Sequence, residues 1–154
     1  MRSEVQKAAY QIVSQTMTDR IYTVLILCTG NSCRSQMAEG LINHELNPRI
    51  RAISAGTNPS SKIDDGALAA LTQLGIPTHG LYSKGVETVI NQPIDLVITV
   101  CDNAKETCPV FPKPILSIHM PFHDPHGEPL SSFIRVRNEI KASLLPELKR
   151  RFSL

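Results

Sequence analysis

The stretch Cys28-Thr29-Gly30-Asn31-Ser32-Cys33-Arg34 follows directly on an apolar run. A loop of this kind, set between a strand and a helix, has a definite chemical use. Its backbone N–H groups can curl into a concave nest that binds an oxyanion. A helix beginning near Ser35 adds its positive N-terminal end. Arg34 can grip two anion oxygens at once with its planar fork. Cys28 sits at the mouth, where these positive groups favour thiolate over thiol. Free cysteine titrates at about pH 8.5, and such surroundings lower that by roughly one to several units. The expected product is a nucleophile aimed at the central atom of a tetrahedral anion. Thr29, Gly30, Asn31, Ser32, Cys33, Arg34 and Ser35 are the expected anion-binding residues. Ser32 and Ser35 can hydrogen-bond the sulfur or the anion, and Asn31 suits an unusual backbone shape. No G-x4-G-K-[ST] nucleotide loop is present.

The four cysteines form two pairs, Cys28/Cys33 and Cys101/Cys108. Neither has the C-x2-C spacing of common zinc sites, so no metal is expected. In a reducing compartment permanent disulfides are rare, which leaves redox chemistry as the leading reading. The N-terminus Met1-Arg2-Ser3-Glu4-Val5-Gln6-Lys7 lacks the apolar core of a secretory signal, so the expected location is cytoplasmic.

Several elements must position these residues. Val5, Ala8, Ala9, Ile12 and Val13 make a helical stripe over 4–17, so residues 1–20 read as an N-terminal extension. Residues 21–27 are a nearly continuous β-rich run, fit for a buried parallel strand. The periodicity predicts a helix over 35–46, a strand over 49–55 and a helix over 62–74 stopped by Gly75 and Pro77. Residues 76–93 read as loop with one short helix. Two more strands are expected at 94–100 and 115–119, then a helix from Pro129 to about 150 that Pro146 should kink or split. This alternation predicts a single α/β domain, residues 21–154, with a four-stranded parallel sheet and helices on both faces. Ligands in such sheets bind beyond the carboxyl ends of the strands. Cys28 and Cys101 each follow a strand, so both are expected on that edge.

Composition sets outer limits. Hydrophobic residues are 42% and charged residues 19% of the 154, enough for a sizeable core. A net charge of +2 argues for neither nucleic acid nor membrane binding.

Residues 24–40, VLILCTGNSCRSQMAEG, strongly resemble the loop of the low-molecular-weight tyrosine phosphatase superfamily, and most of all its thioredoxin-coupled arsenate reductase branch. The likeness continues through Ser54-Ala55-Gly56, Val97 to Pro109 and Phe122-His123-Asp124-Pro125, and spans essentially residues 21–150. It implies that Asp124 is the general acid for the leaving oxygen, with Pro125 fixing how it projects. It also implies a reaction. Cys28 attacks arsenic, Cys101 attacks Cys28 to release arsenite, and Cys108 attacks Cys101. Thioredoxin then reduces the Cys101–Cys108 disulfide. If 102–107 are helical, Cys101 and Cys108 stand roughly 10 Å apart, too far for a disulfide, so the segment must unwind.

The alternative implied by the same likeness is a phosphotyrosine phosphatase, which needs only Cys28, Arg34 and Asp124. Cys33 occurs in both branches and reads as structural; related phosphatases can also have a cysteine at the Cys101 position, so Cys108 is the sharper sign of the reductase branch. His123 and His126 read as surface residues, and His126-Gly127 lacks the aromatic rim expected for phosphotyrosine. A third class, a non-catalytic anion or redox sensor tied to the N-terminal extension, is disfavoured by intact Cys28, Arg34 and Asp124. The resemblance further implies potassium near the loop, held through Asn31, Glu39 and Ser54. Lys84 stands where a fourth, acidic ligand is usual, so potassium is not expected; its ammonium either pairs with Glu39 in the ion's place or stays solvated. No other cofactor is expected; the expected partners are arsenate and thioredoxin.

Overall fold

The computed structural model describes residues 3–9, 20–102 and 108–154. Four strands form one sheet: β1 (Tyr22–Cys28), β2 (Ile50–Gly56), β3 (Leu96–Thr99) and β4 (Ser117–His119). All neighbours are parallel, in the order β2-β1-β3-β4. The expected parallel α/β domain is what the chain adopts. β1 is buried without interruption from Val24 to Cys28, and β3 along its whole length. Buried residues on successive positions mean that both faces of the sheet are covered. Each large apolar side chain buried this way contributes about 1.5–3 kcal/mol.

Among the described residues of the domain the helices are α1 (Arg34–Glu45), α2 (Asp65–Gln73) and α3 (Leu130–Arg151), with a 3-10 turn at Val86–Thr88. α1 packs on β1 and β2 and meets α2 and α3. α2 ends where Gly75 takes a positive φ of 74°, a left-handed cap that glycine reaches without a Cβ clash. α3 continues through Pro146 to Arg151, so of the two outcomes expected at that proline the splitting off of the last turn does not occur. Leu144 and Leu145 on one side of Pro146 and Leu148 on the other are all buried. Their packing outweighs the hydrogen bond that the proline removes. Residues 4–9 are helical and exposed along their length, while 10–19 lie outside the described residues. No helix among the described residues is long and apolar enough to cross a membrane.

The strand order fixes where a site can form. From β1 the chain goes to β2 on one side, and it later returns to β3 and β4 on the other. The crevice opens at that switch, between the carboxyl ends of β1 and β3. Leu27 pairs with Thr99, so Cys28 and Val100 are the next residues on each strand and Cys101 follows. The topology thus brings two cysteines 73 positions apart in sequence to one point.

Candidate active site

The loop after β1 is shaped from outside. The backbone N–H groups of Thr57, Asn58, Ser60 and Asp64 donate to the carbonyls of Cys28, Thr29, Gly30 and Ser32 at 2.8–3.1 Å. With those carbonyls drawn outward, the loop's own N–H groups are left to the concave side. This also explains why α2 starts at Asp65 rather than 62: the preceding residues serve the loop instead of the helix. Gly56 is required by close approach, since a Cβ there would stand 2.5 Å from the Thr29 carbonyl oxygen.

Asn31 holds the unusual backbone expected of it, with φ at 50°. Its buried amide donates to Ser35 Oγ (2.8 Å) and Ser54 Oγ (2.9 Å). Its Oδ1 accepts from the Lys84 backbone N–H and from Gln36 Nε2, both at 3.0 Å. Gln36, which sequence reasoning missed, also donates to the Asn31 carbonyl and the Tyr82 carbonyl. Ser35 is therefore engaged with Asn31, as a brace for the loop.

Arg34 opens α1, whose N-cap Cys33 makes no side-chain capping bond and whose first turn carries no acid. The helix's positive end is left for an anion. Arg34 Nη1 donates to the Phe122 carbonyl at 3.1 Å, and Nη2 lies 3.6 Å from Asp124 Oδ2. Its buried Nε has no hydrogen-bond partner among the described residues. A buried guanidinium N–H without a partner is costly, and a bound oxyanion would satisfy it. A cavity of about 250 Å³ lies here, lined by Cys28, Arg34, Asp124, His126 and the loop. That is room for a small tetrahedral anion. Cys33 is buried, and burial is the first cause pushing its thiol up. That fits its structural reading.

Cys28 and Cys101 meet. Thr29 Oγ1, next to Cys28 in the chain, lies 3.2 Å from Cys101 Sγ, and the two thiols are close enough to influence each other's titration. The expected lowering of Cys28 is corrected: its thiol is pushed up from the ordinary cysteine range. The hydrogen bond with Cys101 is the main cause and burial the next, while Arg34 and the Thr29 backbone pull it down. The neighbouring thiol, expected on this edge, opposes the positive groups of the loop. Cys108 is half-buried beside Ser117, and burial raises its thiol too. The expectation about residues 102–107 falls mostly on 103–107, which lie outside the described residues.

Asp124 faces the cavity from a loop after β4, its side chain 51% exposed. Its Oδ1 accepts from the His126 backbone N–H at 3.1 Å. His126 belongs to the rim of the cavity, which the sequence reading did not give it. His123 is exposed and pairs with Glu128 at 2.6 Å. Away from the cavity, Lys84 Nζ lies 3.5 Å from Glu39 Oε1, both side chains under a tenth exposed. Glu39 Oε1 also accepts from Ser54 N (2.8 Å) and Ser54 Oγ (3.1 Å). The ammonium thus stands against Glu39, beside the Ser54 hydrogen bonds.

The arrangement resembles known proteins throughout. The family model for low molecular weight phosphotyrosine protein phosphatase matches residues 23–150. Arsenate reductase 2 of Staphylococcus epidermidis is 38% identical over 122 residues, 79% of this chain and 92% of that protein. A solved arsenate reductase in its phosphate-binding state superposes with a TM-score of 0.70 at 29% identity, covering 84% of this chain and 98% of that one. A thioredoxin-dependent arsenate reductase of Corynebacterium glutamicum shares the fold, with a TM-score of 0.66 at 21% identity, over 94% of this chain and 70% of that one. Nucleophile loop, arginine, sheet order and relatives agree: the chain belongs to the low molecular weight phosphotyrosine protein phosphatase family.

Proposed function

We propose that this protein reduces arsenate to arsenite, using its own thiols as the two-electron donor and thioredoxin to restore them. The observation that carries the reading is the placement of Cys101 beside the Cys28 loop at the strand switch, where β3 pairs with β1 and Thr29 Oγ1 lies 3.2 Å from Cys101 Sγ. A phosphatase needs one thiol there; a reductase needs a second within reach of the first. The named arsenate reductases among the relatives support it.

Arsenate binds in the loop with Arg34 gripping its oxygens. The Cys28 thiolate attacks arsenic, the arsenic–oxygen bond breaks, and Asp124 gives the departing oxygen its proton so that water leaves. Cys101 then attacks Cys28 Sγ. A sulfur–sulfur bond forms, the sulfur–arsenic bond breaks, and its electron pair stays on arsenic, which departs as arsenite. Thr29 Oγ1 can hydrogen-bond the attacking Cys101 sulfur. Cys108 attacks Cys101 Sγ in turn and frees Cys28. Thioredoxin dithiol reduces the Cys101–Cys108 disulfide; the name of the C. glutamicum relative is a further support for that partner.

The test compares wild type with Cys108→Ser. Thioredoxin-coupled arsenate turnover is expected to collapse in the variant, while hydrolysis of a small aryl phosphate survives. Unchanged arsenate turnover would remove the third thiol from the mechanism. Phosphotyrosine hydrolysis without any arsenate reduction by wild type would favour the phosphatase reading.

We also propose that Lys84 replaces the potassium ion. Wild-type turnover is then expected to be the same in potassium and sodium chloride. Lys84→Ala leaves the Glu39 charge buried without its partner, a loss of about 3–5 kcal/mol. Its melting temperature is expected to fall in sodium and to recover in part in potassium. Potassium activation of wild type would contradict the replacement.

A further inference from the structure

Asp64 is the N-cap of α2, a position where aspartate ordinarily accepts from its own helix's N–H groups. Here it makes no such bond. Its carboxylate is only 16% exposed and is turned instead to His126, whose Nδ1 lies 3.0 Å from both Oδ1 and Oδ2. Asp64 is also fastened to the anion loop, through its N–H to the Ser32 carbonyl at 2.8 Å. His126 in turn donates its backbone N–H to Asp124 Oδ1. These contacts form a chain from the anion loop through Asp64 and His126 to the acid.

We propose that Asp64 and His126 form a clamp that fastens the acid loop to the N-terminal end of α2 and so positions Asp124 over the cavity. His126 is a positioning residue, acting through Asp124. The inference rests on Asp124 as general acid, a role both enzyme readings share. Asp-Pro loops have no regular backbone ladder to hold them, and Asp124 is half-exposed with one long contact to Arg34. An anchor on the far side of the cavity supplies what the loop lacks. The charges facing the imidazole agree: Asp64, first, and Asp124 both hold His126 above the ordinary histidine range. The charged clamp is therefore present at lower pH and is lost as pH rises through that raised value.

The experiment measures hydrolysis of aryl phosphates of graded leaving-group acidity, together with arsenate turnover, in wild type, His126→Ala, Asp64→Ala and the double variant. A displaced acid matters most when the leaving group is poor. Phenyl phosphate is expected to lose about tenfold in kcat, a fraction of the roughly hundred- to ten-thousandfold a general acid supplies, with KM little changed. Dinitrophenyl phosphate, whose leaving group needs no proton, is expected to keep its rate. The double variant is expected to be no worse than either single one, because both break the same link. The loss of kcat at alkaline pH that follows deprotonation of His126 should be absent in Asp64→Ala and His126→Ala, whose acid is already displaced at low pH. Equal losses on all leaving groups, or additive losses, would overturn the clamp and mark a merely structural contact. Absence of arsenate turnover in wild type with the leaving-group effect intact would overturn the reductase reading and leave the clamp standing.

Discussion

Arg34→Lys is expected to lower kcat/KM for arsenate by roughly a hundredfold or more, the loss typical when one preorganised oxyanion donor is removed. Lysine keeps the charge but loses the fork. Arg34 spends Nη1 on the Phe122 carbonyl, keeps a buried Nε without a partner among the described residues, and lines the cavity. A guanidinium can bind the protein on one edge and an anion on another; an ammonium is a point charge that cannot. Stability should change little, because the fold's core lies in the strands and α1 below the loop. Steady-state kinetics beside a thermal melt checks both halves. A variant with normal kcat/KM would mean that the loop amides alone hold the anion.

Cys101→Ala is expected to abolish arsenate reduction, by roughly a thousandfold or more, as the loss of an attacking nucleophile does. Arsenic bound to Cys28 then has no thiol to take its place. Aryl phosphate hydrolysis should persist, since water can release phosphate from Cys28. A second effect follows from the geometry. The hydrogen bond with Cys101 is the main cause holding the Cys28 thiol up. Removing it lowers the value, so Cys28 forms thiolate at lower pH in the variant. The rate of Cys28 alkylation against pH is the measurement, and a titration shifted upward would contradict the assigned cause.

The difference between what the sequence shows and what it hides has a physical basis. Cys28 to Arg34, the β1 run and the start of α1 are contiguous, so their pattern is local and visible. Cys101 could be placed on the right edge because a strand precedes it. Its contact with Cys28 depends on β3 pairing with β1, which periodicity does not reveal. Four carbonyls of the loop are held by residues 57–64, which have no chemistry-bearing signature of their own. Asp64 and His126 are 62 positions apart, and each alone reads as an ordinary surface residue. The Cys28 expectation failed for the same reason. The sequence shows the charges of its own segment and not a thiol folded against it. Pro146 is the reverse case, where a strong local signal yields to Leu144, Leu145 and Leu148 packed around it.

The central claim is that the electrons come from this chain's thiols. The direct measurement mixes fully reduced protein with one equivalent of arsenate and no reductant, then counts thiols and maps disulfides by mass. The four thiols of the chain are expected to fall to two, with arsenite formed in equal amount and Cys101 joined to Cys108. Four thiols remaining, with arsenate unreduced and an aryl phosphate still hydrolysed, would contradict it.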